Sequence, residues 1–293
     1  MAFLTAQGIS SVAIELLVRE LVLPRTVSMI PGGEFAGHNG DTITVRVPQP
    51  GTARTQSSPG DSITYDDIDE IPVNVTLSHL YHGKRVSDEE LSLDIESFAR
   101  QVTRVQVAAV ATGAEDTLTT VMNDQSADAS FASSEDTDDT LDKIYGAREF
   151  LGNNNVPPGD RYLAVSPEIA SRILKVLVNR EVPDTDGALR NAVLGNIAGF
   201  TVVESNGLDS GTAVAYHRSG FAMANRTPVE PRGATDSSTA TSQGLGVRHI
   251  FQYSPDILSD TSVVSTFAGS AAVVDSDDTA PDVKRFYKLD TAV

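Results

Sequence analysis

The most regular hydrophobic pattern of the sequence lies between residues 87 and 122. Ser87 followed by Glu90 has the spacing of a capping box at a helix N-terminus. Beyond it, apolar side chains recur at spacings of four and three residues, the period of one helix face: Leu91, Ile95, Phe98, Val102, Val105 and Ala109. The pattern predicts a helix of about 35 residues, roughly 50 Å long. Two shorter helices separated at Gly113 are the alternative.

Before this helix, the pattern changes from helical to extended. Residues 10–22 have the spacing of one amphipathic helix face, and Pro24 and Pro31 interrupt it, so this segment is interpreted as an arm. Residues 40–47 then alternate between β-branched and polar positions, and residues 71–80 form a second strand-like run. A long two-stranded hairpin is marginally stable alone, so we expect it to dock on another copy of the chain.

After the long helix, short helices and strands alternate, which indicates an α+β fold. Helices are predicted at 141–151 and 167–178, the second with Ser166 as its N-cap. The acidic residues 123–140 and the low-complexity residues 233–243 are interpreted as loops. Strands are predicted wherever β-branched or alternating runs lie between turn residues: 161–165, 197–204, 212–216, 221–224, 246–253, 262–267, 271–274 and 284–289.

The composition excludes several classes of protein function. The chain contains no cysteine, which excludes disulfides, thiolate catalysis and Cys-ligated zinc. No apolar run is long enough to cross a membrane. Residues 1–9 lack the pattern of a signal peptide, so we expect synthesis in the cytoplasm. The net charge is −18 and Lys and Arg are not clustered, which argues against a protein that binds DNA tightly through its phosphates. The acidity is compatible with a protein that encloses DNA, and equally with a charge that serves only solubility.

Patterns with catalytic or metal-binding chemistry are few. His79 and His82 have an H-x-x-H spacing but lack the glutamate of a zinc-binding HExxH helix. Residues 184–187 and 275–278 resemble calcium loops, but neither has the glycine and terminal glutamate of such loops. No G-x-S-x-G elbow and no Walker lysine is present. We interpret these residues as structural and expect no catalytic site, no metal and no cofactor.

Two stretches of the sequence resemble a known family. They are AREFL, NNVPPGDRYL and VSP between residues 147 and 167, and GNIAGFTVVES at residues 195–205. These motifs lie within an order of arm, hairpin, long helix, mixed α/β middle and strand-rich end. Together they resemble the major capsid proteins of tailed bacteriophages, which share the Hong Kong 97 fold, and most of all the coat proteins of actinobacteriophages.

The resemblance implies a fold of five parts. These are an N-arm at 1–35, an extended hairpin called the E-loop at 36–85, a peripheral (P) domain with a long spine helix at 86–145, a mixed α/β axial (A) domain at 146–245, and return strands of the long P-domain sheet with the C-terminus at 246–293. It also implies that copies of the chain form pentamers and hexamers in an icosahedral phage head, which encloses double-stranded DNA in the virion.

Contacts between subunits are expected, from the resemblance, on the hairpin, at the base of the hairpin and spine helix, and in the axial loops. The residues predicted to make them are Gln49, Pro50, Gly51, Arg54, Pro59, Arg85, Arg100, Asp184 and Asp186.

Two departures from other members of the family lead to further expectations. The arm begins almost at Met1, so we expect no cleaved scaffolding segment and a separate scaffolding protein, with a portal and a decoration protein as further partners. Some relatives join an E-loop lysine covalently to an asparagine of a neighbour. Residues 36–83 contain no lysine, so we expect a shell held by non-covalent contacts.

Three other functions remain open on the sequence alone. An encapsulin-type compartment shares the fold and would hold cargo enzymes in place of a genome. A tail-tube or other virion component would be smaller and richer in β-structure. A soluble hydrolase would need a pocket of convergent polar groups, which the sequence does not indicate.

Overall fold

The structure is a computed structural model of the 293-residue chain. It describes residues 22–30, 42–48, 54–56, 58–60, 62–63, 65, 70–90, 102–132, 137–179, 195–234, 236–242, 245–277 and 280–291. Within these residues the α-helices are α1 (Arg104–Asn123), α2 (Thr137–Asn153) and α3 (Pro167–Asn179). The strands are β1 (Ser28–Ile30), β2 (Thr42–Pro48), β3 (Glu70–Thr76), β4 (Ser78–Ser87), β5 (Ala129–Phe131), β6 (Arg161–Val165), β7 (Asn196–Ile197), β8 (Phe200–Glu204), β9 (Ala213–His217), β10 (Phe221–Arg226), β11 (Asp236–Ser242), β12 (Leu245–Ser254), β13 (Ser259–Ala272), β14 (Val274–Asp277), β15 (Ala280–Lys284) and β16 (Phe286–Thr291).

Both ends of the predicted long helix are helical in the structure. Residues 88–90 are helical and α1 ends at Asn123, while residues 91–101 lie outside the described residues. Helix α1 passes through Gly113 without interruption, so the alternative of a break at Gly113 is wrong. One face of α1 is buried from Val107 to Met122, and this face supplies the apolar side chains that pack against a β-sheet.

The predicted capping box at the start of this helix is confirmed. The carboxylate of Glu90 accepts a hydrogen bond from the backbone N–H of Ser87 at 3.0 Å, and the N–H of Glu90 donates to the Ser87 hydroxyl oxygen at 3.3 Å. The hydrogen bond from the Ser87 N–H is the main cause that lowers the pKa of the Glu90 carboxyl group. Two backbone N–H groups that would otherwise lack partners are thereby satisfied.

Ser87→Ala is expected to lower the free energy of unfolding by about 1 kcal/mol, the usual cost of losing an N-cap side chain. Ser78→Ala, an exposed serine on the same strand β4, is the matched control and should change stability little. Denaturant unfolding of both variants measures the difference. Equal stability of the two variants would contradict a capping role for Ser87.

The first sheet is built around the long strand β13, which pairs along both of its edges. Phe267 and Ala268 pair with residues of both β4 and β10, so these two strands lie on opposite edges of β13. Strand β12 pairs with the first half of β13 on the β10 side, β11 pairs with β12, and β1 runs parallel to β10. Helix α1 covers one face of this sheet, and the largest hydrophobic core lies between them.

The second sheet has the strand order β5-β16-β9-β6-β8-β7. Helices α2 and α3 pack against it and form a second core with buried residues such as Leu151, Leu163 and Phe200. The two sheets are interleaved along the chain: β16 belongs to the second sheet, whereas β10 and β11 belong to the first. The predicted boundary at residues 245 and 246 therefore does not coincide with the division into sheets, and the five-part division stays a prediction.

Strands β2 and β3 form the predicted hairpin, with Thr42 opposite Thr76 and Pro48 opposite Glu70. The second predicted run, 71–80, is not one strand: β3 ends at Thr76, and β4 begins at Ser78 and pairs with β13 in the first sheet. The hairpin root is packed closely on the first sheet. A side chain added at Gly269 of β13 would overlap the backbone carbonyl of Thr76, so glycine is required for this approach. The hairpin is therefore attached to the body of the subunit at its root.

Two predicted loops are partly regular structure. The low-complexity residues 233–243 contain β11, and the acidic residues 123–140 contain β5 and the start of α2. Strand β11 is rich in Ser and Thr, and its hydrogen bonds are supplied by the neighbouring strand β12. Short polar segments become strands when a partner edge is available, and local sequence does not contain that information.

Three other sequence predictions are wrong in detail. The strand predicted at 197–204 is a hairpin, because Ala198 and Gly199 adopt positive φ angles and turn the chain between β7 and β8. The strand predicted at 262–267 continues to Ala272 as β13. Ser166 does not cap α3 with its side chain: its Oγ atom is buried without a hydrogen-bond partner in the described structure, although its carbonyl accepts the N–H of Ala170 at 2.9 Å.

Candidate assembly surfaces

The two histidines of the H-x-x-H pair lie three positions apart on β4, so their side chains leave opposite faces of the sheet. His79 stacks on Phe267 with 4.5 Å between ring centroids. Two side chains on opposite faces cannot converge on one ion. Residues 184–187 lie outside the described residues, and Asp275 lies in strand β14. No group of three or more His, Asp or Glu suited to a metal ion occurs in the part of the chain that the structure describes.

A buried polar network joins α1 to the first sheet. Gln106 of α1 donates from Nε2 to the backbone carbonyl of Ser262 at 2.7 Å and to that of His82 at 3.3 Å. The Ser262 hydroxyl donates to Oε1 of Gln106 at 2.9 Å and lies 2.8 Å from Nε2 of His249. Because the hydroxyl proton is directed to Gln106, we infer that His249 is the donor to Ser262 and carries its proton on Nε2.

His249 is held as a neutral imidazole. It is fully buried, and its Nδ1 atom has no hydrogen-bond partner among the described residues. Burial lowers the pKa of His249 from 6.5 to about 4, against an opposing contribution from the negative charge of Asp236. A serine beside a histidine resembles a nucleophile and its base. Here both side chains are fully buried, so the pair has no access to a substrate and serves to fix α1 on the sheet.

The segment predicted to be an arm is anchored to its own subunit over residues 22–30. Leu23 and Val27 are fully buried in the core beneath α1, and β1 adds to the edge of the first sheet. The hydroxyl groups of Thr26 and Tyr216 are hydrogen-bonded to each other inside this core. Residues 1–21 lie outside the described residues.

The structure describes three of the nine residues predicted to make contacts between subunits. Arg54 and Pro59 are exposed in the distal part of the hairpin, and Arg85 is exposed on β4. The other six lie outside the described residues: Gln49, Pro50, Gly51, Arg100, Asp184 and Asp186. Arg85 is far from the hairpin tip in the sequence and lies on the body of the subunit, opposite Thr261 of β13.

The structure adds three exposed aromatic or aliphatic side chains that the sequence analysis did not select. Ile63 and Tyr65 in the hairpin are 59% and 83% exposed, and Tyr81 on β4 is 71% exposed. Exposed apolar side chains of this size are typical of protein–protein contacts when they occur together. The signal in the sequence was the alternation of Ile63 and Tyr65 with polar residues in an otherwise polar hairpin.

A comparison with models of protein families identifies the family to which the chain belongs. A family model described as "Phage capsid protein" matches residues 83–281, a range of 199 among the 293 residues. The match includes helix α1, most of the first sheet and nearly all of the second. The chain belongs to the phage capsid protein family. It is a major capsid protein, a structural component of the virion.

Solved structures show the same fold. The capsid protein is similar to a chain from Mycobacterium phage Che8, with 20% identity, a TM-score of 0.63 and coverage of 92% of this chain and 90% of that chain. It is similar to the capsid of Cyanophage P-SCSP1u, with 13% identity, a TM-score of 0.63 and coverage of 93% and 88%. It is also similar to the SrpI encapsulin of Synechococcus elongatus, with 15% identity, a TM-score of 0.53 and coverage of 92% and 86%. None of the curated proteins matches the sequence.

These findings confirm the predicted α+β capsid fold and the predicted family. Helix α1 and the β2–β3 hairpin lie within the segments that the resemblance assigns to the spine helix and the E-loop, and that assignment stays a prediction. Of the helices that the structure describes, none has the length and apolar character needed to cross a membrane.

Proposed function

We propose that this capsid protein assembles as pentamers and hexamers into an icosahedral phage head that encloses double-stranded DNA. The family match over helix α1 and the two sheets is the observation that supports the proposal most strongly. Identical subunits that contact one another head to tail form closed rings, and rings of five and six copies close a shell. The protein is synthesised in the host cytoplasm, and a scaffolding protein, a portal and a decoration protein are its further partners.

The packed root and exposed distal part of the β2–β3 hairpin support this proposal. Strands β2 and β3 pair with each other, and their buried side chains Val73 and Val75 belong to a small core at the hairpin root. The described residues of the distal part, including Arg54 and Pro59, are exposed. A two-stranded ribbon with exposed apolar side chains gains stability when it docks on a neighbouring subunit. Contacts at Arg54, Pro59 and Arg85 are part of this proposal.

The charge supports an enclosing role. A net charge of −18 makes the protein as a whole repel the phosphate backbone. The shell therefore retains DNA because it is closed, and the contacts between subunits hold it closed. No lysine is available between residues 36 and 83 for a covalent link from the hairpin to a neighbour, so these contacts are non-covalent.

An encapsulin-like compartment is the second candidate, because the SrpI encapsulin of Synechococcus elongatus has the same fold. Particle contents separate the two functions: a phage head contains a genome, and a compartment contains cargo protein.

Cryo-electron microscopy of the protein produced with its neighbouring genes tests the proposal. We expect closed icosahedral shells with five-fold and six-fold capsomers, and full particles that contain DNA. Closed shells filled with protein cargo would favour the compartment. A small oligomer that does not assemble, even with a scaffolding protein present, would overturn both.

A further inference from the structure

We propose that a row of basic side chains at one end of the second sheet contacts phosphate groups of the enclosed DNA. The row consists of Arg148, Arg161, His217 and Arg285 and is named the arginine row. This inference rests on the proposed phage head and adds the surface by which each subunit meets the DNA. It therefore places this end of the second sheet toward the interior of the shell.

Strand pairing brings three of the four residues together. Arg161 at the start of β6 lies opposite His217 at the end of β9, and the His217 N–H donates to the carbonyl of Arg285 at 3.0 Å. Residues opposite one another on neighbouring strands have their side chains on the same face of the sheet. Because neighbouring strands lie about 4.8 Å apart, the row from β6 through β9 to the start of β16 is about 10 Å long.

Helix α2 supplies the fourth residue. Arg148 lies near the end of α2, and its guanidinium carbon is 3.8 Å from the position of a Cβ atom added at Gly199, in the turn before β8. Strand β8 lies beside β6 on the side away from β9, so Arg148 extends the row to about 15 Å. A DNA duplex carries one phosphate charge per about 1.7 Å of its axis, so roughly nine phosphates fall within that length.

Arg161 is a buried cation held by uncharged groups. It is 8% exposed, and its guanidinium group donates from Nε to the Pro157 carbonyl at 2.8 Å and from Nη2 to the Val156 carbonyl. Neither Arg161 nor Arg148 forms an ion pair among the residues that the structure describes. A buried charge is costly unless an opposite charge accompanies it. The carbonyl groups fix the guanidinium group, and a phosphate oxygen would supply the negative charge.

The electrostatic field at this end of the sheet is positive, although the chain is acidic. Burial and then the charges of Arg285 and Arg161 lower the pKa of His217, and the carboxylate of Asp160 opposes them. A field that disfavours further positive charge attracts anions. The subunit as a whole, with a net charge of −18, repels DNA. The contact is therefore local, weak and sensitive to salt, and closure of the shell still retains the DNA.

The composition of this surface favours phosphate over an acidic protein segment. Protein interfaces have apolar or aromatic side chains at their centre, whereas phosphate contacts need hydrogen-bond donors. The large apolar side chains that are exposed in the described part of the chain include none from residues 146–161, 195–200, 217–219 or 284–287, which form this end of the sheet. Tyr145, one turn before Arg148 on α2, is half-exposed.

Photo-cross-linking in DNA-filled particles tests this inference. Gly159 lies in the turn before Arg161, and a Cβ atom added there would meet nothing within 4 Å. Because the chain has no native cysteine, Gly159→Cys provides a single site for a benzophenone maleimide. We expect irradiation to cross-link this chain to DNA. Gly233→Cys, equally open in the connection between β10 and β11, is the matched control and should cross-link several-fold less.

Reversal of one charge tests whether the arginine row causes the contact. Arg148→Glu in the Gly159→Cys chain should reduce cross-linking to DNA several-fold, and Arg148→Lys should retain most of it. Arg148 is exposed, so both substitutions should leave the fold intact. Arg232→Glu, the same change at an exposed arginine between β10 and β11, should leave cross-linking unchanged. Equal cross-linking in Arg148→Glu and Arg232→Glu would overturn the inference.

The remaining outcomes separate this inference from the proposed function. DNA-filled shells in which Gly159→Cys cross-links to DNA no more than Gly233→Cys overturn the inference and leave the phage head standing. Cross-links from Gly159→Cys to protein in place of DNA assign the arginine row to an acidic protein segment and also overturn it. A wild-type chain that forms no shells, or shells filled with cargo protein, overturns the proposed phage head and this inference with it.

Discussion

Gly269→Ala is expected to destabilise the protein by about 3 kcal/mol, at the upper end of the usual cost of overpacking. The added Cβ atom would overlap the carbonyl oxygen of Thr76 and lie 2.9 Å from its carbonyl carbon and 3.2 Å from the Cα atom of Leu77. These are backbone atoms, so no side-chain rotation can relieve the contact. The hairpin root must move, and we expect the yield of assembled shells to fall with it.

Gly83→Ala is the matched control for this prediction. Gly83 lies on β4, which pairs with the same strand β13, but a Cβ atom there would meet only the Val263 side chain at 3.5 Å, an ordinary van der Waals distance. Denaturant unfolding and particle yield should therefore change little in Gly83→Ala. If Gly269→Ala behaved like Gly83→Ala in both measurements, the close packing of the hairpin root on β13 would be wrong.

The second large effect is a loss of stability in mild acid caused by His249. Its pKa is lowered from 6.5 to about 4 by burial, so the unfolded chain binds a proton at a pH where the folded chain does not. The contribution of the neutral imidazole to the free energy of unfolding is fully present above pH 6.5 and is lost as the pH falls towards 4. A pKa lowering of this size corresponds to about 3 kcal/mol of the free energy of unfolding.

Denaturant unfolding at pH 7.5 and at pH 5 measures this effect in the wild-type chain and in His249→Gln. The variant removes the titrating group, so its stability should fall less between the two pH values. The pKa values of His79 and His217 are also lowered by burial, but these residues remain in both proteins and cancel in the comparison. His79→Gln, at an exposed position, is the control. An equal loss of stability in wild type and His249→Gln would contradict the assignment.

Several features that depend on neighbours in the sequence were predicted correctly, although the side-chain cap at Ser166 and the turn at Ala198 and Gly199 were not. The capping box of Ser87 and Glu90 needs only a spacing of three residues, and the proline at the first position of α3 needs only its own fixed φ angle. The β2–β3 hairpin followed from the alternation of its two strands. The order of these elements, together with two motifs, was enough to indicate the family that the comparison with family models then showed.

Features that depend on distant segments were not predictable from local pattern. The Ser- and Thr-rich strand β11 is a strand because β12 supplies its hydrogen bonds, and β16 joins the second sheet through pairing with β9. Strand propensity is weak and depends on the partner, so a polar segment without a known neighbour is interpreted as a loop.

The residues of the candidate assembly surfaces likewise divide into features that the sequence indicated and features that depend on tertiary contacts. Arg85 was selected from the resemblance, but its position opposite Thr261, on the same sheet face as Tyr81 and Arg248, depends on pairing between β4, β12 and β13. The network of Gln106, Ser262 and His249 joins residues up to 156 positions apart, and the need for glycine at position 269 arises from the approach of a segment almost two hundred residues earlier. The sequence alone thus determined the local elements and their order, because these depend on spacings of a few residues. The contacts between elements required the folded chain, because burial and hydrogen bonding at each position are set by residues that are distant in sequence.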